Sequence, residues 1–375
     1  GYYRMSIKTR ILAGISALAM VVSLSACSNT DTTWANKVDG NKINAGVYIF
    51  YTIQGYNDAT DKLSEDSSVT KKNIMSKNID DKKVPEYIEE YATNKCKEMI
   101  GVDHKFKELG LELSSKDYKT IKLATDNAWE SSGDEYEKNG ISKDSIEKIF
   151  TTNQKLELIF NKYYEKDGLE EVKQEDINKE INNKYARVKL LPLILKKDDG
   201  SELDTAGKEE VKKKAEEYIK KVKAGENFDK LINEYYENRY NASTGIPQSS
   251  SDTDKEKDPY ENEQIVYEGV QYVDPVGVTD MVKQEKYNEP IMVITKTYIY
   301  VYVKLDITQR DDFMKEARSS TLKSLKNDDF GKMSATWGSD LNVIKNTDSY
   351  NRYTPEKVIK KMQKNQKSTS SSSEA

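Results

Sequence analysis

Histidine is almost absent from this sequence, since His104 is the only one among 375 residues. Metal sites commonly use clusters of histidine or cysteine ligands. Serine hydrolases pair a histidine with the serine of a G-x-S-x-G motif, and that motif does not occur here. We therefore expect no metal site and no catalytic role for His104. The predicted environment of this side chain is a solvent-facing position on a helix.

Cysteine is also scarce, with two residues, and neither requires a disulfide to explain it. Cys96 lies at helical spacing with Ala92, Met99 and Ile100. This arrangement predicts a small thiol buried on the inner face of a helix.

Glycine-rich phosphate-binding loops and blocks of basic residues are missing as well. The first absence argues against ATP-driven chemistry, and the second against nucleic acid, which needs a patch of lysine and arginine. Adjacent acidic pairs such as Glu170-Glu171 and Asp311-Asp312 could serve a glycosidase. Among 64 acidic residues, however, such pairs are expected by chance. We expect no cofactor.

Long apolar runs are lacking too, because the run Ile11–Leu24 has only 14 residues, whereas about 20 are needed to span a bilayer. Basic residues precede this run and small residues follow it, which is typical of an export signal. The residues Leu24-Ser25-Ala26-Cys27 match the lipobox of bacterial lipoproteins. The match implies cleavage before Cys27 and a lipid on its sulfur, with residues 1–27 as the signal peptide. An ordinary signal followed by a chance cysteine is the alternative.

Helical periodicity dominates the first half of the remaining chain. Residues Val38–Ile43 predict a hairpin and Val47–Tyr56 an apolar helix, followed by a polar loop over 61–83. Residues 84–184 are predicted to be almost wholly helical. Within them, Ser114 with Asp117 predicts a capping box and Ser142 a second N-cap.

The pattern then changes to alternating strands and helices. A strand is predicted at Val188–Leu195, a polar mobile loop at 241–264, and two further strands at Ile291–Thr295 and Tyr298–Leu305. Two helices, Asp311–Leu325 and Phe330–Leu341, are predicted to follow, and residues 363–375 to form a disordered tail. The predicted fold class is mainly α with a smaller α+β domain.

This layout resembles the parvulin-type foldase lipoproteins (the PrsA group) and the periplasmic chaperone SurA. The resemblance covers residues 34–345 and is carried by the order of five segments: NKVDGNKINAGVYIFY, DHKFKELGLELSSKDY, YEKNGISKDSIEKIF, VKQEDINKEINNKYARVKLL and AEEYIKKVKAGENFDKLINEY. It implies a helical chaperone domain over 28–184 and a parvulin-like domain over 185–307. It also implies that the C-terminal helices over 308–362 return to the chaperone domain.

The histidines of active parvulins have no counterparts in this sequence. The family carries one in an R-H-I-L run on its first strand and another in a Y-H-I-I-K run on its last. The corresponding positions here are Leu190, Leu191 or Pro192 on the first strand and Val301 on the last. The polar segment 241–264 replaces the family's apolar cradle for proline. The resemblance therefore implies a degenerate isomerase domain with no catalytic residues.

The expected function is that of a membrane-anchored, extracytoplasmic chaperone or foldase that holds unfolded exported proteins and lacks isomerase activity. Two alternatives stay open: a prolyl isomerase that works without the usual histidines, and a lipoprotein that binds one dedicated partner or solute. The sequence does not indicate which apolar residues would contact clients.

Overall fold

A computed structural model describes residues 33–244 and 260–370, without the side chains of 240–244 and 369–370. The leader, Cys27, and residues 245–259 of the predicted mobile loop lie outside the described residues. The chain divides into two compact units. The first unit comprises residues up to 171 together with those from 326 onwards, and the second unit comprises residues 172–325.

Within the described residues there are nine strands and eleven α-helices, numbered here in chain order. The first unit contains β1 (Trp34–Val38), β2 (Asn41–Asn44), α1 (Ala45–Lys62), β3 (Asn78–Ile79), β4 (Lys82–Lys83), α2 (Val84–Glu108), α3 (Ser115–Lys138), α4 (Lys143–Tyr164), β9 (Val343–Lys345), α10 (Thr347–Arg352) and α11 (Pro355–Ser370). The second unit contains α5 (Gln174–Lys184), β5 (Tyr185–Ile194), α6 (Thr205–Lys223), α7 (Phe228–Thr244), β6 (Glu263–Tyr267), α8 (Pro275–Lys283), β7 (Pro290–Ile294) and β8 (Tyr298–Leu305). Helix α9 (Asp311–Thr336) runs across the division, and short 3₁₀ turns occur at Ile74–Ser76 and Ile307–Gln309.

Segments from the C-terminal part of the chain complete the sheet and the core of the first unit. Strand β1 pairs with its hairpin partner β2 and also, antiparallel, with β9. Behind this sheet, α1 is buried along most of its length and packs with α2 and α4 in one apolar core. Helix α11 contributes Val358, Ile359 and Met362 to the same core. The C-terminal residues are therefore part of this unit's core.

Local sequence signals set the helix boundaries in this unit. Ser114 accepts a hydrogen bond from the Asp117 N–H, and the Asp117 carboxylate accepts one from the Ser114 N–H, which confirms the predicted capping box. Ser142 caps α4 by accepting from the Ser145 N–H, as predicted. Gly110 has a φ of +66° just beyond α2, a left-handed conformation that glycine adopts without strain.

The second unit is built on a four-stranded antiparallel sheet in the order β6-β5-β8-β7. Helix α8 covers one face of this sheet, and α6 with α7 covers the other. Both faces of the sheet are apolar. Successive side chains of the central strands β5 and β8 therefore point into two different cores, and these strands carry few charges. The mainly α fold with a smaller α+β part is confirmed.

Three predictions about elements were wrong. Residues 311–336 form one helix, because the polar stretch 326–329 contains no glycine or proline to end it. The predicted polar loop at 61–83 contains the β3–β4 hairpin. Residues 363–370 continue α11, whose apolar stripe is anchored in the core, whereas a disordered tail was predicted. Residues 371–375 lie outside the described residues.

The predicted loop at 241–264 also has regular structure at both ends. Helix α7 extends to Thr244, and β6 begins at Glu263. No helix in the described ranges combines the length and apolar character of a membrane-spanning segment.

Candidate functional site

The two strands predicted to have lost histidines are neighbours in the sheet of the second unit. Across β5 and β8, Leu190 lies opposite Tyr302, Leu191 opposite Val301 and Pro192 opposite Tyr300. Successive side chains of a strand point to opposite faces, so Leu190 and Pro192 share the α8 face. Val301 shares the other face with Leu191. The structure therefore brings Leu191 and Val301 together and separates Leu190 from Val301.

On the α8 face, the residues beside Leu190 are two buried tyrosines. The Tyr302 hydroxyl donates to the Asp280 carboxylate at 2.6 Å, and the Tyr300 hydroxyl accepts from the Asp274 N–H at 3.0 Å. Burial raises the pKa of Tyr300 to about 12, and burial with the Asp280 hydrogen bond raises the pKa of Tyr302 as well. Both phenols stay protonated at neutral pH, so neither supplies a general base.

On the opposite face, Leu191 and Val301 are fully buried. They pack with Ala215 from α6 and with Leu231 and Ile232 from α7. Close-packed aliphatic side chains leave no room for a substrate and offer no group for proton transfer. Neither face of this strand pair carries a histidine.

Lys304, at the end of β8, has a structural role on the α8 face. Its side chain is buried, and its Nζ donates to the carbonyl oxygens of Val282 and Gln284, each at 2.8 Å. These carbonyls belong to the C-terminal turn of α8, where they lack helical partners. Burial lowers the pKa of Lys304, and the two hydrogen bonds hold its ammonium against the helix end.

An open cleft of about 770 Å³ runs along α8, and we call it the α8 cleft. It is lined by Pro275, Val276, Thr279, Asp280, Lys283, Gln284, Glu285 and Lys286. Val276, in the lining, is 60% exposed. Two exposed aromatic residues, Tyr272 and Tyr287, lie close to these lining residues in the sequence. Acids and lysines alternate along the lining. The α8 cleft thus offers shallow apolar contacts beside charges of both signs.

The first unit has a smaller cleft, of about 380 Å³, between α2, the β3–β4 hairpin and α9. Its charged groups largely neutralise one another, because Lys82 pairs with Glu90 and Lys95 with Glu98. Tyr87, also in its wall, donates a hydrogen bond to Asp58. The charged groups of this cleft are thus paired with one another within the protein.

His104 lies on α2 in the first unit, whereas the Leu190 and Val301 positions lie in the second. Its side chain is 44% exposed, as predicted, with Nε2 at 3.5 Å from Asp39 Oδ2. Cys96 is fully buried, as predicted, and burial raises the pKa of its thiol to about 12. In the described ranges no group of three or more histidine, cysteine or acidic residues is placed to hold a metal ion.

Of the acidic pair Asp311-Asp312, Asp312 belongs to a structural ion cluster. Asp312 accepts from Arg310, and Arg310 also lies 3.7 Å from Glu263. Glu263 is almost fully buried and accepts two hydrogen bonds from Arg187, both at 2.6 Å. This cluster joins β5, β6 and the start of α9.

Sequence reasoning missed Tyr300, Tyr302, Asp280 and the α8 cleft. A signal for the two tyrosines was present, because the run TYIYVYV places them two residues apart and hence on one face of a strand. The position of α8 beneath them depends on tertiary packing and had no such signal.

Comparison with known proteins finds no matching family model and no matching curated protein. Among solved structures, the chain is similar to foldase protein PrsA from Streptococcus pneumoniae, with 13% identity over 79% of this chain and 93% of that one, at a TM-score of 0.33. PrsA from Lactococcus lactis matches with 11% identity over 86% and 99% of the two chains, at a TM-score of 0.34. PrsA from Bacillus subtilis matches with 17% identity over 72% and 93%, at 0.28. These are structures of the group that the sequence resembles. Because the TM-scores are below 0.5, the residues of this chain carry the functional argument.

Proposed function

We propose that the protein is a membrane-anchored chaperone that holds unfolded exported proteins on the outer face of a bacterial membrane and does not catalyse prolyl isomerisation. The observation that carries this proposal is that aliphatic and tyrosine side chains occupy the positions on β5 and β8 where a histidine pair was considered. Leu191 faces Val301 in a closed core, Leu190 faces Tyr302, and the only histidine of the chain lies in the other unit.

The absence of isomerase activity follows from what catalysis would require. The barrier to rotation about a peptide bond is about 18–20 kcal/mol. Lowering it needs preorganised polar groups around a partly dry pocket for the proline. Beside Leu190 and Pro192, the polar groups are the two neutral phenols of Tyr302 and Tyr300, whose hydrogen bonds are made within the protein, with Asp280 and Asp274.

Client binding is assigned to the α8 cleft. Its exposed Val276, with Tyr272 and Tyr287 nearby, gives apolar contact without a deep, shape-selective pocket. Shallow contacts of this kind adapt to many partners, whereas specificity needs unfavourable contacts against the wrong ones. A holdase with little sequence preference fits such a surface.

The domain roles and the anchor are part of the same proposal. We assign residues 185–307 as a parvulin-like domain that carries the α8 cleft without isomerase activity, and residues 28–184 and 308–362 as the helical segments that support it. The lipobox at Leu24–Cys27 supports removal of the signal peptide and lipidation of Cys27. Two acyl chains would then anchor the protein stably, whereas one would hold it marginally.

The test is suppression of aggregation by the mature chain carrying Cys27→Ser, with several unrelated unfolded proteins as clients. We expect suppression near a stoichiometric ratio. Val276→Ser should weaken it several-fold, because it removes exposed apolar contact area from the α8 cleft. Leu123→Ser is the matched control, since Leu123 is 62% exposed in the first unit and should not matter.

Two results would overturn this proposal. Failure with several clients, together with tight binding to one native partner or solute, would favour a dedicated binding protein. Loss of suppression in Leu123→Ser but not in Val276→Ser would move the client surface away from the α8 cleft.

A further inference from the structure

The last helix of the first unit, α11, concentrates positive charge on one side. It carries five lysines and one acid, Glu356, in a protein whose formal net charge is −5. The lysines, all exposed, are Lys357, Lys360, Lys361, Lys364 and Lys367. At about 100° per residue they fall within an arc of about 120°. That arc lies opposite the buried stripe of Val358, Ile359 and Met362, so the lysine face points to solvent.

Another lysine-rich helix of the chain does not share this arrangement. Helix α6 has five exposed lysines, but four glutamates lie on the same side of the helix and offset their charge: Glu209, Glu210, Glu216 and Glu217. The high lysine content of the chain therefore does not by itself produce a one-sided cationic face.

The position of α11 connects it to the predicted anchor. The carbonyl of Trp34, where β1 begins, accepts hydrogen bonds from Asn346 Nδ2 and Ser349 Oγ, both at 2.8 Å. Lys357, in the first turn of α11, donates its Nζ to the Asn351 carbonyl of α10 at 2.7 Å. The start of α11 is thus held close to the N-terminal strand.

The chain between Cys27 and Trp34 is short. Seven steps at ~3.3–3.6 Å per residue reach at most about 25 Å. A lipid on Cys27 would hold Trp34, at the start of β1, within this distance of the bilayer, and α10 and the start of α11 lie beside that strand. Charged groups interact appreciably only over a Debye length, about 10 Å at 0.1 M salt, so a short tether favours contact.

We propose that the lysine face of α11, made of the five lysines named above, is a docking surface for anionic phospholipid headgroups of the membrane that carries the protein. This rests on the lipid anchor of the proposed function, which supplies the proximity. Contact at α11 would hold the first unit against the bilayer at two points. Basic residues near an anionic surface each add attraction, and their contributions accumulate.

The experiment uses the mature chain with Cys27→Ser, so that no acyl chain contributes. Its co-sedimentation is measured with vesicles of phosphatidylcholine alone and of equal parts phosphatidylcholine and phosphatidylglycerol. We expect binding only to the anionic vesicles, and weaker binding as salt rises from about 0.1 M to about 0.5 M.

Two charge-matched variants locate the binding face. Replacing the five α11 lysines by glutamine should reduce binding to anionic vesicles at least about tenfold. The control replaces the five exposed lysines of α6 by glutamine, namely Lys213, Lys214, Lys220, Lys221 and Lys223. It removes the same charge and should change binding less than about twofold.

Equal losses in the two variants would overturn the proposal, because net charge alone would then explain binding. No binding to anionic vesicles would also overturn it, and binding to a soluble acidic polymer in that case would indicate an acidic macromolecule as the partner. Aggregation suppression, measured on the same variants, reports separately on the proposed chaperone function. The membrane-docking proposal and the chaperone proposal can therefore be contradicted independently of each other.

Discussion

At the scale of single residues, the buried ion pair between Arg187 and Glu263 is the most consequential polar contact of the second unit. Removing one partner of such a pair leaves the other charge buried and unpaired, which costs about 3–5 kcal/mol. Arg187→Ala should therefore lower the free energy of unfolding by about 3 kcal/mol in urea titrations. Arg310, 3.7 Å from Glu263, keeps the loss from being larger.

Lys189→Ala is the matched control for that change. Lys189 lies on the same strand as Arg187 and pairs with Asp229 of α7. Both side chains are about a quarter exposed, so the loss should be about 1 kcal/mol or less. Equal losses in the two variants would contradict the role given to the buried pair.

Cys96 gives a prediction about pH. Burial raises the pKa of its thiol from 9.0 to about 12, so the folded protein favours the protonated form. The resulting stabilisation is complete below the unfolded pKa near 9 and is lost as pH rises toward about 12. In Cys96→Val this loss is absent, because the thiol that titrates has been removed.

The measurement is the difference in unfolding free energy between Cys96→Val and the parent, both carrying Cys27→Ser, at several pH values. The difference should move in favour of the valine variant between about pH 9 and pH 11. A difference that stays constant over this interval would contradict the buried, neutral thiol.

At the scale of elements, the capping box of α3 is directly testable. Ser114→Ala removes the side-chain acceptor of the Asp117 N–H and should cost about 1 kcal/mol. Ser114 also lowers the pKa of Asp117 through its hydrogen bond, so this part of the stabilisation is present above the unfolded carboxyl pKa near 4. It is lost as pH falls through the lower folded value.

Urea unfolding at neutral pH measures this cap, and Ser115→Ala serves as its control. Ser115 is exposed in the first turn of α3, and its replacement should change stability by no more than about 0.5 kcal/mol. A loss in Ser114→Ala no greater than that of the control would show that the capping box does not stabilise α3.

Elements were predictable where the signal was local. Short sequence patterns predict the caps at Ser114 and Ser142 and the hairpin at Val38–Ile43. They also predict the two strands that carry Leu190 and Val301. The helical continuation at 363–370 was not predictable in this way. Its composition is polar, and it is helical because Val358, Ile359 and Met362 dock into a core assembled from distant segments.

The candidate site was less predictable than the fold. The sequence alone shows that no second histidine exists, and hence that a paired-histidine centre is absent. Which residues face one another depends on strand register, and a shift of one residue exchanges the faces. For that reason the sequence could place Leu190 on the first strand and Val301 on the last strand of the domain, but not on opposite sides of one sheet.

At the scale of the whole molecule, the two units contribute in different ways. The second unit has a close-packed sheet where a reactive centre would need polar, accessible groups, and its accessible surface is an open cleft. The first unit is closed by the C-terminal residues, which join β1 and the α1–α2 core. In the proposed function, clients bind to the exposed α8 cleft and prolyl isomerisation is not catalysed.

The most direct test of the central claim is the rate of cis–trans isomerisation of an Xaa-Pro model peptide in the presence of the folded mature chain, beside a histidine-containing parvulin. The account predicts the uncatalysed rate, with tens to hundreds of seconds per event at 25 °C. An acceleration that persists through repurification would contradict it, because catalysis would then be taking place without the histidines.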